Sequence, residues 1–541
     1  MTLPTTVNKP GYHTTHDFRT RSQKLVSIRN IGVDPYPHKF TPSILAEALS
    51  KDFEDQPVGS SEDGQAGKTK HVTVAGRLVL FRSMGKLAFG QILDSSGKIQ
   101  IMFDRDHTHV TGFDPTKIDA AENLPNAFKF IEKKLDLGDW VGIEGHLFRT
   151  RTGELTVYAK KVTLLCKSLL PLPEKYHGLS DKEVRYRKRW LDLIDHEDVR
   201  KTFLMRSRIL HIIRDFFNAQ HFIEVETPVL QSVYGGAAAR PFTTHLNALD
   251  QDMFLRISLE IPLKKLIVGG MERIYEIGRV FRNEGLSKFH NPEFTELETY
   301  AAYWDYNDMM VFTEQLFETI ALKLFNKTTV DIGSEETGGI TTIDFKAPWK
   351  RLTMKEAIKK NGRIDVDALS DDEMRKILRE TELDPKVIAS APRGLLISML
   401  FEEKAEKGLV QPTHITDHPI ETTPLCKLHR NAKEKAERLV ERFESFVCGK
   451  EICNAYSELN DPELQRELLE QQASRRDAGD VEACPMDEEF IEAICQGMPP
   501  TGGLGIGIDR LVMFFTNVAS IRDILFFPLM KTEKAEGKKS D

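Results

Sequence analysis

Hydrophobic and polar residues alternate in short runs through the first third of the chain. Five such runs, separated by turn-forming or irregular segments, predict β-strands at His71–Phe81, Leu87–Asp94, Lys98–Phe103, Trp140–Phe148 and Leu155–Leu165. Five short strands in about 100 residues, with an irregular stretch between the third and the fourth, favour a small β-barrel. A β-sandwich accessory domain has the same periodicity and is the alternative.

The periodicity becomes helical on both sides of these runs. Apolar residues recur at helical spacing from about Phe18 and again over Glu197–Ala219. Between the first helix and the barrel, Glu47–Lys70 holds serines, glycines and acids and is predicted to be a linker. After Ala219, a short strand at Phe222–Val225 begins an alternation of strands and helices, which predicts an α+β fold for the larger part of the chain.

These patterns divide the chain into four predicted parts. Residues 1–67 form a helical extension with a linker, 68–173 an oligonucleotide-binding (OB) barrel, 174–531 a larger α+β domain, and 532–541 a charged tail. The stretch Leu169–Pro173 contains two prolines and is predicted to be a stiff junction. Residues from about 331 to 440 carry charged helical stretches and are predicted to be an insertion in the larger domain.

Composition places the chain among ordinary globular proteins. Hydrophobic residues make up 40% and charged residues 29%, which excludes a disordered chain. No window approaches the ~18 uncharged apolar residues of a membrane span. The six cysteines form no CxxC pair, which favours a reducing compartment, and we expect a cytoplasmic protein.

The net charge of −8 hides a small asymmetry along the chain. The stretch Lys68–Leu170 carries 16 Lys and Arg against 11 Asp and Glu, so the barrel is mildly basic and the remainder is acidic. A basic module of this kind is compatible with local binding of nucleic acid. A surplus of this size is also common on any solvated surface, so the signal is weak.

A polar loop between two strands carries the first candidate chemistry. Arg282–Gly285 and His290–Thr295 lie between two runs, Arg273–Phe281 and Glu296–Tyr300, that predict antiparallel strands. The planar fork of arginine suits a phosphate group, and an aromatic ring suits stacking on a base. A salt-bridged hairpin is the alternative for this loop taken alone.

Two further blocks are candidates for the same site. Gly502–Arg510 has alternating glycines, which allow close approach of a ligand to the backbone, and Arg510 then begins a helix. A tightly packed structural strand is the alternative. The residues Glu444, Glu451, Asn454 and Glu458 have spacings compatible with one side of a cleft, and paired carboxylates suit a hard cation such as Mg²⁺.

Together, these blocks resemble the class II aminoacyl-tRNA synthetases. FRNEG followed by HNPEFT is similar to the second motif of that class, GLGIGIDRLVM to the third, and the stretch that ends in Val225–Pro228 to the first, a dimer-interface motif. Within the class, the chain resembles the lysyl-tRNA synthetases through residues 174–194, 234–242, 449–461 and 520–531. The resemblance runs from about Phe18 to Lys531.

The resemblance implies a catalytic domain built on an antiparallel sheet with flanking helices, and a two-step reaction. The carboxylate of L-lysine attacks the α-phosphorus of ATP to give lysyl-adenylate and pyrophosphate, and the 3′-hydroxyl of tRNA(Lys) then takes the lysyl group. Positioning and neutralisation of charge carry such chemistry, so no nucleophilic side chain is expected. The resemblance also implies Mg²⁺ bound with ATP, and a homodimer.

By the same resemblance, the candidate site residues fall into four groups. The catalytic residues are Arg282 and Arg510. The ATP-binding residues are Arg282, Glu284, His290, Phe294, Glu444, Glu451 and Arg510, of which Glu444 and Glu451 are the Mg²⁺ ligands. The lysine-binding residues are Gly236, Glu260, Glu298, Tyr300, Asn454 and Glu458. The anticodon-binding residues in the barrel are Arg82, Phe89, Gln100 and Glu154, each of which is alternatively an ordinary barrel residue.

A pocket for lysine needs carboxylates, because burial of an ammonium group is unfavourable unless acids meet it. The resemblance places Glu298 and Glu458 at the ε-ammonium, and Glu260 with Asn454 at the backbone groups of the amino acid. An aspartate-specific pocket would need cations here, which disfavours the related aspartyl and asparaginyl enzymes. The family usually has Ala-Pro-Glu where this chain has Ser258-Leu259-Glu260, so we expect a less constrained backbone before Glu260.

Three histidines near Cys426 present the residue types of a zinc site. His414, His418 and His429 lie within sixteen residues, but their spacing is not that of a structural zinc site, and we expect scattered surface histidines. Two rival functions are weaker. A truncated ligase that lysylates a translation factor lacks the barrel, and a synthetase-derived binding protein would have lost Arg282, Arg510 or the Glu444/Glu451 pair.

Overall fold

The computed structural model describes residues 11–54, 58–118, 123–173, 179–334, 339–477 and 479–532. The chain divides into two compact units, Met1–Ser180 and Asp181–Asp541. The predicted boundary after residue 173 therefore lies a few residues before the observed division. Of the predicted charged tail, only Thr532 is among the described residues. Residues 174–178, with which the first of the segments similar to lysyl-tRNA synthetases begins, also lie outside them.

The N-terminal unit is a closed barrel. Its strands are β1 (His71–Met84), β2 (Leu87–Leu93), β3 (Lys98–Asp104), β4 (His109–Val110), β5 (Trp140–Arg149) and β6 (Leu155–Cys166). Its helices are α1 (His16–Asn30), α2 (Ala46–Asp52), α3 (Ser61–Gln65) and α4 (Ala127–Lys134). Antiparallel pairing links β3, β2, β1, β5 and β6 in that order, and parallel pairing of β3 with β6 closes the barrel. The barrel prediction is confirmed, and the sandwich alternative is excluded.

The segment predicted to be a linker is folded onto the barrel. It contains most of α2 and all of α3, and Leu49 and Val58 are buried in the barrel core. The linker prediction is wrong, because a few apolar residues among serines and acids are enough to cover that core. Ser60 and Asp63 form a capping box that begins α3, a helix signal that the polar composition of this segment hides.

The second unit combines many helices with a large sheet. Its helices are α5 (Lys182–Arg187), α6 (Arg189–Asp195), α7 (Glu197–Ala219), α8 (Glu260–Val268), α9 (Tyr306–Phe325), α10 (Met354–Ala357), α11 (Asp371–Leu378), α12 (Pro385–Ser390), α13 (Arg393–Lys404), α14 (Ala432–Ala436), α15 (Pro462–Asp477), α16 (Glu488–Cys495) and α17 (Ile508–Thr516). Its strands are β7 (Ile223–Glu224), β8 (Leu230–Gln231), β9 (Thr243–Leu246), β10 (Gln251–Leu255), β11 (Arg273–Phe281), β12 (Glu293–Ala302), β13 (Thr329–Ser334), β14 (Gly339–Asp344), β15 (Lys350–Thr353), β16 (Thr413–Pro419), β17 (Leu439–Val447), β18 (Lys450–Ser457) and β19 (Thr501–Gly507).

The central sheet has the order β15-β16-β17-β18-β19-β12-β11-β7 among the described residues. Its neighbours are antiparallel except for β7 with β11 and β15 with β16, which are parallel. Along β12, Leu297 and Ala301 pack into a core with α7 and α9, whereas the alternate residues face the other side. The predicted α+β fold and the predicted helix at Glu197–Ala219 are confirmed.

The predicted insertion, residues 331–440, is wider than the segment that the structure inserts into the sheet. β15 and β16 belong to the central sheet, and α10–α13 between them enclose a core of their own that includes Met374, Leu400 and Phe401. The error arises in β16, where Thr413, His414 and His418 are polar in sequence but buried in the sheet.

Candidate active site

A cleft of about 1620 Å³ opens on the side of the central sheet that faces away from α7 and α9. Strand register places Glu298 of β12 opposite Gly505 of β19, Gly505 opposite Asn454 of β18, and Asn454 opposite Glu444 of β17. Directly opposed residues share a face, so these four form one row across the floor of the cleft. The cleft lining includes all the predicted ATP- and lysine-binding residues: Gly236, Glu260, Arg282, Glu284, His290, Phe294, Glu298, Tyr300, Glu444, Glu451, Asn454, Glu458 and Arg510.

Arg282 lies against the aromatic ring of the second block. Its guanidinium carbon is 5.0 Å from the centroid of the Phe294 ring, and its Nε donates to the carbonyl oxygen of Ile257 at 3.1 Å. Its Nη2 is 3.6 Å from a carboxylate oxygen of Glu296, a cleft residue that sequence reasoning missed. Burial raises the pKa of Glu296, and the nearby Arg282 opposes that rise. The guanidinium thus presents its remaining donors to the cleft.

Arg510 joins the second and third motifs. Its Nη1 donates to the backbone oxygen of Glu451 at 3.1 Å and lies 3.3 Å from a carboxylate oxygen of that residue, while its Nη2 is 3.2 Å from Nε2 of His290. Arginine has only donors, so Nε2 accepts, and the His290 proton is on Nδ1, 2.8 Å from Oγ of Ser287. Burial, with Arg510 beside it, lowers the pKa of His290, which keeps the imidazole neutral.

Arg442, another residue that the sequence reasoning missed, bridges two of the predicted ligand-binding residues. Its Nη2 is 2.5 Å from a carboxylate oxygen of Glu444, and its Nε donates to Oδ1 of Asn454 at 2.9 Å. Because arginine cannot accept, the Asn454 amide must turn its oxygen to Arg442 and its NH₂ group to the cleft. Arg442 precedes Glu444 by two residues on β17, a same-face spacing that the sequence already contained.

Glu298 is held by neutral donors. Its Oε1 accepts hydrogen bonds from Oγ of Ser258 and from the backbone N–H of Leu259, both at 2.8 Å, and its Oε2 accepts from the hydroxyl of Tyr300 at 2.9 Å. Burial raises the pKa of Glu298 to about 8, and the neighbouring carboxylates of Glu296 and Glu260 add to the rise. Ser258 and Leu259, which stand before Glu260 where the family usually has Ala-Pro, are both buried and hydrogen-bonded to Glu298.

Glu260 and Glu458 share a buried cation, Lys264. Its Nζ is 2.6 Å from a carboxylate oxygen of Glu260 and also pairs with Glu458, and its side chain is fully buried. Although burial lowers it, these carboxylates hold the pKa of Lys264 above its ordinary value, so the lysine stays charged. Sequence reasoning missed Lys264. The signal was its position four residues after Glu260 on α8, the spacing at which helical side chains meet.

The alternating glycines of β19 serve two purposes. A side chain at Gly503 would place its Cβ 1.8 Å from a carboxylate oxygen of Glu458. The space beside Gly503 is therefore filled by Glu458 and not by the ligand that the sequence predicted there. At Gly505 the nearest atoms are 3.8 Å away, which leaves the floor of the cleft open. Gly236 has a φ of +87°, and a Cβ there would lie 2.7 Å from Oγ of Ser258.

The three histidines near Cys426 are not on the surface, so that prediction is wrong. His414, His418 and His429 are each at most 5% exposed. His414 contacts Ser445 and Glu314, whereas His418 is 3.0 Å from the carbonyl oxygen of Ile415, and burial lowers the pKa of His418 to about 3. Within the described ranges, no group of three or more His, Cys, Asp and Glu side chains is arranged to hold a metal ion.

The barrel carries a second candidate site. Arg82 of β1 is paired with Phe89 of β2, and Phe89 is paired with Met102 of β3, so the three share one face. Phe89 is half-buried and packs on a small cluster of Met102, Phe148 and Tyr158, separate from the main barrel core. Gln100 lies on that face and donates to Oγ1 of Thr156 at 2.9 Å.

Glu154 completes the predicted set. It is exposed in the loop before β6, and its backbone oxygen accepts from Oγ1 of Thr156 at 3.2 Å. The hydroxyl of Thr156 therefore connects the backbone of Glu154 to the side chain of Gln100. Gln91, which is paired with Gln100 on the same face, is a polar residue that sequence reasoning missed.

Comparison with known families matches each unit to a different one. A family described as tRNA synthetases class II (D, K and N) matches residues 181–531. An OB-fold nucleic acid binding domain matches residues 72–165. No helix in the described part of the chain has the length and apolar character needed to cross a membrane.

Similarity to individual proteins extends over nearly the full length. A lysine–tRNA ligase of Chlamydia caviae is 56% identical over 98% of this chain and 100% of its own length. A lysine–tRNA ligase of Clostridium perfringens is 46% identical over 95% of this chain and 96% of its own. One of Staphylococcus epidermidis is 45% identical over 95% and 98%, respectively.

Proposed function

The chain belongs to the lysine–tRNA ligases among the class II tRNA synthetases, and from this premise we propose which of its residues carry the ATP-dependent activation of lysine and the charging of tRNA. The observation that supports the assignment best is the convergence of the thirteen predicted ATP- and lysine-binding residues on one cleft. Donors for phosphate lie at one end of this cleft, and carboxylates for an ammonium group lie at the other.

The phosphate end comprises Arg282, Arg510 and His290. We assign the α-phosphate to Arg282, whose charge meets the negative charge that grows as the lysine carboxylate attacks phosphorus. Arg510, which Glu451 and His290 hold in place, reaches the outer phosphates and lies over the adenine ring opposite Phe294. Glu284 accepts from the adenine amino group.

Glu444 and Glu451 are the residues that would hold Mg²⁺. Both carboxylates line the cleft, and each shares one oxygen with an arginine, which leaves the other oxygen to a ligand. Two carboxylates occupy only part of the coordination shell of a cation. They therefore fit an ion such as Mg²⁺, which keeps several bound waters and also binds substrate phosphates. When bound, the ion supplies neutralisation of the phosphate charge.

The lysine end of the cleft has a matched set of charges. Glu260, Glu298 and Glu458 supply three negative charges when ionised, and the buried Lys264 neutralises one of them. Two charges therefore remain for the two ammonium groups of free lysine, while Arg282 and the Asn454 amide meet its carboxylate. Tyr300 and Gly236 complete the pocket. This balance favours a dicationic amino acid over a neutral or acidic one.

The test of the function is lysine-dependent exchange of pyrophosphate into ATP, compared across all twenty amino acids. We expect exchange with lysine alone at its physiological concentration, and none that depends on aspartate or asparagine. Exchange that is equal for several amino acids, or that is absent from a folded and pure preparation, would contradict the proposal.

The barrel is assigned to the anticodon of tRNA(Lys). Phe89 offers a stacking surface for an unpaired base, and Gln100, Glu154 and Arg82 surround it with hydrogen-bonding groups. We expect Phe89→Ala to weaken tRNA charging by about 5- to 150-fold, since stacking contributes about 1–3 kcal/mol per base. Pyrophosphate exchange without tRNA should be unchanged, because no tRNA takes part in that step.

Leu87→Ala is the matched control for Phe89→Ala. Leu87 packs on the same small cluster and has no ring on which a base could stack. Both variants should lower the melting temperature slightly, but only Phe89→Ala should impair charging. A stable Phe89→Ala variant that charges tRNA normally would remove Phe89 from the recognition surface.

We further propose that two copies of the chain associate through the first motif. Around Val225–Pro228, the residues Ile223, Val229, Leu230 and Val233 are between 37% and 55% exposed, which is unusual for a group of large apolar side chains. Analytical ultracentrifugation should give the mass of two chains, and Leu230→Asp should shift the population towards one. A single-chain mass for the unmodified protein at micromolar concentration would contradict this assignment.

We place the enzyme in a reducing compartment, the cytoplasm. All six cysteines fall within the described residues and carry free thiols, and Cys426, Cys448 and Cys453 are at least half-buried in or beside the catalytic sheet. A thiol titration of the purified unfolded chain should find six reactive groups without reductant. Fewer than six would indicate disulfides and a different compartment.

A further inference from the structure

Two consecutive residues before α8 donate to the same carboxylate oxygen. Oγ of Ser258 and the backbone N–H of Leu259 both lie 2.8 Å from Oε1 of Glu298. Oγ of Ser258 also accepts from the backbone N–H of Glu260 at 3.1 Å, so its own proton is directed to Glu298. Ser258 is 3% exposed and Leu259 is fully buried, so no bulk water competes for these bonds.

The two carboxylates assigned to the ε-ammonium are thus prepared in different ways. Glu458 pairs with Lys264, a full positive charge, whereas the hydrogen bonds to Glu298 come from a hydroxyl, an amide and a phenol. Neutral donors orient a carboxylate without cancelling its charge. Glu298 is therefore the pocket acid whose charge remains available to a substrate cation.

Burial and the neighbouring carboxylates oppose the ionisation of Glu298. Two titratable groups that interact with Glu298 lie on its own strand, Glu296 and Tyr300. Others come from neighbouring elements: Glu260 on α8, and Tyr456 and Glu458 at the end of β18. The cation Lys264 interacts with Glu260 and Glu458. Burial and the carboxylates raise the pKa of Glu298, and the bonds from Leu259 and Ser258 lower it. Loss of either hydrogen bond should therefore raise the pKa of Glu298 further and favour its protonated form.

We propose that Ser258 and the backbone N–H of Leu259 are positioning residues for lysine recognition, which fix Glu298 as an oriented carboxylate for the ε-ammonium. This inference rests on the proposed function of the cleft. The second donor exists only because residue 259 is not proline, which has no N–H. An alanine–proline pair at these two positions would supply neither donor, so this chain binds lysine with two contacts to Glu298 that such a pair lacks.

Two variants each remove one donor, and a third is their control. Ser258→Ala removes the hydroxyl. Leu259→Pro removes the N–H together with the leucine side chain, and Leu259→Ala removes the leucine side chain alone. KM values for lysine and for ATP are measured by pyrophosphate exchange from pH 6 to pH 9, and the melting temperature is recorded for each variant.

We expect Ser258→Ala to raise the lysine KM about ten-fold at pH 7, equivalent to ~1.4 kcal/mol, with the ATP KM unchanged. Leu259→Pro should show the same rise relative to Leu259→Ala. The ammonium binds the ionised form of Glu298, so the lysine KM falls as pH rises until Glu298 is ionised in the free enzyme. Without one of the donors, Glu298 holds its proton more tightly. The lysine KM of the variant should therefore go on falling to a pH about one unit higher than in the unmodified chain.

The pH profile distinguishes positioning from mere support of the fold. A KM that rises by the same factor at every pH, or a Leu259→Ala variant as impaired as Leu259→Pro, would overturn the proposal. So would a folded Ser258→Ala variant with an unchanged lysine KM, a result that stands even if Leu259→Pro does not fold. Absence of lysine-dependent exchange in the unmodified chain would instead contradict the proposed function itself.

Discussion

Arg282→Ala is expected to lower lysine-dependent pyrophosphate exchange by about 10²-fold or more, comparable to the loss of a donor to a developing oxyanion. The α-phosphorus becomes pentavalent as the lysine carboxylate attacks, so the negative charge that Arg282 meets is greatest in the transition state. An interaction of this kind changes kcat more than KM. The measurement is the steady-state exchange rate at saturating ATP and lysine.

Arg279→Ala is the matched control for Arg282→Ala. Arg279 lies three residues earlier on β11, is exposed, and does not line the cleft. Its replacement should leave exchange within a factor of two or so, in line with the small effects of exposed surface positions. If Arg282→Ala is folded and exchanges at nearly the rate of the unmodified chain, the assignment of the phosphate end is wrong.

Glu298→Gln is expected to raise the KM for lysine by roughly 30- to several thousand-fold, which corresponds to about 2–5 kcal/mol for a buried charge left short of its partner. The glutamine keeps the shape of the side chain but carries no charge, and its NH₂ group faces a donor from Ser258 or Tyr300. The KM for ATP should change little, because the contacts of Glu298 are Ser258, Leu259 and Tyr300, whereas Arg510 contacts Glu451 and His290. Both constants come from one exchange experiment.

Glu272→Gln gives the corresponding control. Glu272 is an exposed acid just before β11, and its side chain accepts a hydrogen bond from the phenol of Tyr303 at 3.4 Å. We expect both KM values to stay close to those of the unmodified chain. An equal loss of affinity for lysine and ATP in Glu298→Gln would mean that Glu298 supports the fold and does not select the amino acid.

Local patterns predicted much of the fold, because most of its strands and helices have their own sequence signals. The alternation in β1–β3, the length of α7 and the polar loop between β11 and β12 each lie within a few consecutive residues. Amino-acid composition gave the wrong expectation of solvent exposure for two segments. The serines and acids described in 47–70 are exposed or half-buried, as their type suggests, but Leu49 and Val58 between them are buried in the barrel core. The histidines of β16 look solvated in sequence, yet sheet pairing buries them.

The partners of the candidate site residues could not be predicted in the same way. The motifs identified Glu298, Asn454 and Glu458, but their neighbours come from other elements: Ser258 from the segment before α8, Arg442 from β17 and Lys264 from α8. Such contacts depend on strand register and on helix packing, which no short motif encodes. For the same reason, Ser258-Leu259 looked like the loss of a rigid proline, whereas the structure uses it as a pair of donors.

The row of opposed residues across the central sheet fixes the distance between the proposed lysine pocket and the proposed Mg²⁺ ligands. Adjacent strands lie ~4.8 Å apart, so the three spacings from Glu298 to Glu444 amount to ~14 Å. Backbone hydrogen bonds set this separation, and side-chain flexibility changes it little. We therefore expect the ammonium group at Glu298 and the cation at Glu444 to keep a fixed separation, whichever substrate binds first.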